Sequence, residues 1–129
     1  MRMLDEQTSN DVEVSLADQE RINAFSRLNS RAADAEARIA QLRDEKETLG
    51  DLEMELELEG EDEVLYKIGD AFLKVPGEEA LQLLARDTER VDAQLARLEA
   101  QKEQCDAGMQ ELKVKLYAKF GKENINLER

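Results

Sequence analysis

Apolar residues recur along this chain at alternating steps of three and four, in two long stretches separated by a run of a different period. Positions 25, 28, 32, 35, 39, 42, 46, 49, 53 and 56 hold Phe25, Leu28, Ala32, Ala35, Ile39, Leu42, Lys46, Leu49, Glu53 and Leu56. The second stretch holds Leu81, Leu84, Thr88, Val91, Leu95, Leu98, Lys102, Cys105, Met109, Leu112 and Leu116 at the same spacing. Such spacing draws one narrow stripe along a helix, the seam of a left-handed coiled coil. Lys46 and Glu53 interrupt the first stripe, which predicts a register change or a loosened seam near the end of that arm.

Local signals set the bounds of the arms. Ser15-Leu16-Ala17-Asp18 is a capping box with Asp in place of Glu, so Ser15 is read as the N-cap of a helix over 15–59. Gly121 directly after Phe120 suits the residue just past a helix end, and Lys113, Lys115 and Lys119 put positive charge where the helix dipole favours it; the second helix is therefore set at 77–120. Leu52 to Glu59 alternates apolar and charged residues like a strand, yet Leu, Met and Glu are strong helix formers, so this stretch is kept in the helix. A short connector lets two arms of matched length fold back antiparallel, with Phe25 near Leu116, Leu42 near Leu98 and Leu56 near Leu84. The chain's two ends then meet at one tip. The predicted fold is mainly α: a long antiparallel coiled-coil hairpin over 15–121 with a short β-hairpin at the bend, flanked by tails at 1–14 and 122–129.

The connector changes period. Val64-Leu65-Tyr66-Lys67-Ile68 and Ala71-Phe72-Leu73-Lys74-Val75 are rich in β-branched and aromatic residues and are separated by Gly69-Asp70, a type II′ hairpin signature over 64–75. Pro76-Gly77 ends the second strand. A lone two-stranded hairpin is marginal in water and leaves both outer edges unpaired. Tyr66, Ile68, Leu73 and Val75 have little of their own chain to bury against, so equivalent hairpins of other subunits are expected to complete a sheet or barrel. The expected assembly residues are Val64, Leu65, Tyr66, Ile68, Gly69, Phe72, Leu73 and Val75. The alternative is that the hairpin folds onto the end of its own coiled coil.

Composition narrows the function. With 129 residues there is room for one domain; 38% are charged, 4% aromatic, and Pro76 is the single proline, as in long solvent-exposed helices. A net charge of −13 argues against nucleic acid or an anionic membrane surface as partner. No run of apolar residues is long enough for a membrane span, the first ten residues are unlike a signal peptide, and Cys105 has no partner thiol, which together predict a cytosolic setting. There is no histidine and no Gly-rich phosphate loop, and Cys105 lies in the seam, so neither catalysis nor a cofactor is expected. Glu57, Glu59, Glu61, Asp62 and Glu63 lack the spacing and glycine of an EF-hand, so no metal is expected there; a solvated acidic turn, or a device that steers assembly by charge, fits them.

Leu65-Tyr66-Lys67-Ile68-Gly69-Asp70-Ala71-Phe72 between heptad arms, with Val114-Lys115-Leu116-Tyr117-Ala118-Lys119-Phe120-Gly121 and Asn124-Ile125-Asn126-Leu127-Glu128, resembles prefoldin, in particular its β-class subunits. Val12-Glu13-Val14, Asp18-Gln19 and Ile22-Asn23-Ala24-Phe25 extend the likeness toward the start. The resemblance implies one hairpin per β-class subunit and a heterohexamer of two α-class and four β-class subunits, built as a double β-barrel with projecting coiled coils. It further implies ATP-independent holding of non-native clients such as actin and tubulin chains, and their transfer to the cytosolic chaperonin. Val12, Val14, Leu16, Ile22, Phe25, Tyr117, Phe120, Ile125 and Leu127 would supply the client-binding tip, since exposed apolar patches mark interaction sites. The rival expectation is a structural coiled-coil tether that binds no client.

Overall fold

Ser15 closes the first turn of helix α1, Leu16–Glu59. Its hydroxyl accepts the Asp18 N–H at 3.1 Å and donates to the Asp18 carboxylate at 2.8 Å, while the same carboxylate accepts the Ser15 N–H at 3.4 Å. Each residue thus satisfies a backbone donor of the other. The computed structural model describes residues 2–3, 14–59, 63–121 and 124–127, so Val12, Glu61 and Asp62 lie outside the described residues. Helix α1 runs unbroken through Leu52–Glu59, where helix propensity prevails over the alternating pattern.

Strands β2, Glu63–Ile68, and β3, Ala71–Pro76, pair antiparallel, with Val64 opposite Val75 and Ile68 opposite Ala71. Gly69 has φ +60° and Asp70 does not have a positive φ, which is the type II′ turn expected. Helix α2, Gly77–Phe120, ends at Gly121, whose φ of +80° lets its N–H bond the Tyr117 carbonyl at 2.9 Å. A second two-stranded sheet joins Arg2–Met3 (β1) to Ile125–Asn126 (β4), a pairing that no pattern in the sequence signals.

The chain divides into two compact units, Met1–Ala37 with Glu99–Arg129, and Arg38–Leu98. In the first, Ile22, Phe25 and Ala32 of α1 pack with Cys105, Met109, Leu116 and Phe120 of α2. Asp18 pairs with Lys119 there, and Glu36 with Lys102 at 3.6 Å, so the helices run antiparallel. In the second, Ile39 and Leu42 pack with Val91 and Leu95, and farther along α1 Leu56 packs with Ala80 and Leu84, the same antiparallel order.

The two breaks in the first stripe have distinct solutions. Lys46 reaches Asp92 at 2.6 Å on the surface, beside an Arg90–Glu45 pair at 2.9 Å. Glu53 is exposed, and Leu52 packs in its place beside Leu56, so the seam shifts by one residue. Exposed ion pairs contribute about 0–1 kcal/mol each, whereas burying a Leu side chain contributes about 1.5–3 kcal/mol. The apolar seam therefore dominates stability.

Candidate functional site

The hairpin has two faces because side chains along a strand alternate. Tyr66 and Val75 point one way and are buried against Leu56, Ala80 and Leu84. The Tyr66 hydroxyl donates to the Asp87 carboxylate of α2 at 2.5 Å, and burial, reinforced by that carboxylate, pushes its pKa up to about 12. This corrects the expectation that Tyr66 and Val75 lack partners in their own chain. The end of the coiled coil supplies an apolar floor for one face of the sheet, as the alternative reading had it.

The other face remains in water. Leu65 is 65% exposed and Phe72 64% exposed, and they stand diagonally across the two strands, with Lys74 opposite Leu65 and Lys67 opposite Phe72. Both lysines are exposed. Lys67 and Lys74 were not among the expected assembly residues, though their alternation with Leu65 and Phe72 could have placed them there. The side chains of Val64, Ile68 and Leu73 lie outside the described residues. Among the described residues the sheet ends at two strands, so the outer edges of β2 and β3 are unpaired.

The second expected surface is rearranged more strongly. Ile22, Phe25, Phe120, Ile125 and Leu127 do not stand bare; they form one buried cluster with Cys105, Met109 and Leu116. The reason lies after Gly121, where the chain turns back on α2. The Asn124 amide donates to the Phe120 carbonyl at 2.7 Å, and the Leu127 N–H donates to the Tyr117 hydroxyl at 3.4 Å, which leads Ile125 and Leu127 into the core. Asp18, itself buried, is held by Lys119, Arg21 and the Ser15 cap. Among the described residues of this unit the large apolar side chains that stay exposed are Leu16, 77% in solvent, Val14 and Val114, while Tyr117 is half-buried with Lys113 over its ring. Val114 was not among the expected tip residues; its signal in the sequence is a position off the heptad stripe between two lysines.

Among the described residues no group of His, Cys, Asp or Glu is gathered as a metal would require, and no helix is long and apolar enough to cross a membrane. Cys105, the one thiol, is buried.

Two long helices paired antiparallel, joined by a β-hairpin with one apolar face left over, define a coiled-coil subunit that binds through surfaces. The family model described as "Prefoldin subunit" matches residues 19–123. Prefoldin subunit 4 of Saccharomyces cerevisiae is 40% identical over 130 residues, covering 100% of both chains. Prefoldin subunit 4 of Homo sapiens is 34% identical over 120 residues, covering 92% of this chain and 89% of its own. The crystal structure of the prefoldin beta subunit from Thermococcus strain KS-1 superposes with a TM-score of 0.74, covering 84% of this chain and 96% of that one at 15% identity, a likeness of fold. The chain belongs to the prefoldin subunit family, and with it to the chaperone-type subunits of the prefoldin complex.

Proposed function

We propose that this chain is a non-catalytic, cytoplasmic holding subunit that works without ATP or any other cofactor inside a heterohexamer of two α-class and four β-class prefoldin subunits. In that assembly it retains non-native polypeptides of the actin and tubulin kind and passes them to the cytosolic chaperonin. The observation that carries this reading is the outward hairpin face, where Leu65 and Phe72 stand in water beside two unpaired strand edges. Strand edges and apolar side chains together are a template for another chain's sheet. Sister hairpins are the natural complement of those open edges.

Client contact falls to what the first unit leaves exposed: Val14, Leu16 and Val114, with the half-buried edge of Tyr117. Each such contact is weak on its own, and several arms acting on one client multiply the effect while allowing release. Ile22, Phe25, Phe120, Ile125 and Leu127 support that surface from beneath as packing.

The test uses the assembled complex. Replacing Val14, Leu16 and Val114 together by serine should leave assembly intact and weaken suppression of aggregation of a chemically unfolded actin chain. A scaffold that binds no client would show unchanged suppression, and that result would reject the holding role.

A further inference from the structure

The last two turns of α1 carry apolar side chains that the core does not use. Met54 and Leu58 lie four residues apart on one helix face and are 65% and 87% exposed. The seam at this level is already completed by Leu49, Leu52 and Leu56. Around them stand Asp51, Glu53, Glu55 and Glu57, all exposed and, among the described residues, without an ion-pair partner. Between Glu47 and Tyr66 the sequence has no lysine or arginine at all. Elsewhere along both helices acids such as Asp92, Glu36 and Glu111 stand against lysines.

We propose that this acidic and apolar face is a second assembly surface, and that its occupant is a sister subunit's segment presenting aliphatic or aromatic side chains together with lysine or arginine. The proposal rests on the reading of the hairpin as the assembly element and extends it onto the helix that leads into the hairpin. Charge decides the occupant. An acidic or neutral apolar segment would bury Met54 and Leu58 equally well but would leave uncompensated carboxylates at the rim, whereas cations at the rim of the occupant pair with them. The outward face of this chain's own hairpin shows the complementary chemistry: Leu65 and Phe72 with Lys67 and Lys74. One subunit therefore carries both an apolar-acidic and an apolar-basic face, and a ring of such subunits can alternate them.

Two variants of the full chain test this against the complete set of sister subunits, with assembly followed by native mass measurement and sedimentation. Met54→Gln with Leu58→Gln keeps good helix formers at exposed positions, so the melting of the isolated chain should match that of the parent. Its affinity for the sister subunits should fall at least about tenfold, as expected when apolar anchors leave an interface. Glu55→Lys with Glu57→Lys should also weaken assembly and reverse its dependence on salt. Leu65→Ser with Phe72→Ser serves as the reference for the hairpin. If that reference fails to assemble while both α1 variants assemble as the parent does, the second surface is refuted and the hairpin reading stands. If the reference assembles normally, the hairpin reading itself fails.

Discussion

The Tyr66 hydroxyl and the Asp87 carboxylate, 21 residues apart in sequence, meet at 2.5 Å and pin strand β2 to helix α2. Tyr66→Phe keeps the ring among Leu56, Val75 and Leu84 and removes the hydrogen bond alone. It should lower stability by about 1 kcal/mol in denaturant melts. A pH series separates the hydroxyl's part. The pKa of Tyr66 is raised from 10.0 to about 12, so its contribution is complete below the ordinary value and is lost as pH climbs through that interval. The Phe variant should lack that alkaline loss.

Asp18 behaves in the opposite sense. The hydrogen bond from Lys119, opposed in part by burial and aided by the Ser15 cap, holds its carboxyl down from 3.8 to about 2. A depressed pKa stabilises above the ordinary carboxylate value, and the contribution is lost as pH falls toward 2. Thermal melts of the parent should therefore fall steeply over this acid range, and Asp18→Asn should show a shallower slope and a lower plateau near neutrality. Ser15→Ala, which removes only the cap, should cost about 1 kcal/mol at neutral pH.

Seam and surface leucines should separate cleanly. Leu42 is completely buried between Ile39, Val91 and Leu95, and Leu42→Ala should cost about 3 kcal/mol by leaving a cavity. Leu16→Ala, at a site mostly in solvent, should stay within about 0.5 kcal/mol of the parent.

The folded-back C-terminal segment gives a fourth expectation. Ile125→Ser places a hydroxyl at a fully buried site and should destabilise by about 3 kcal/mol, with local opening seen as faster amide exchange around Phe25 and Phe120. Loss of client holding in that variant would accompany loss of order. Val14→Ser with Leu16→Ser should instead leave amide exchange unchanged.

The heptad stripes, the Ser15 box, the Gly69-Asp70 turn and the end at Gly121 were legible because each is written in neighbouring residues. The one-residue seam shift from Glu53 to Leu52 was legible only as a disturbance, since two leucines at adjacent positions both could pack. Asp87 as the partner of Tyr66 was not legible, because nothing local ties a helix carboxylate to a strand hydroxyl many residues away. The same limit applies to Ile125 and Leu127. Sequence shows them as apolar residues past a helix end, which reads equally as a bare patch or a segment turned back into the core; only the Asn124 and Tyr117 hydrogen bonds decide between them.

Cys105, the only cysteine, sits 5% exposed in the cluster that joins α1 to α2 in the first unit. A thiol reagent can reach its sulfur only when those helices part. The protein thus carries its own clock for unzipping: the speed of alkylation, read by mass, times how often this stretch opens, in the free chain or in the company of its sisters, without an added probe.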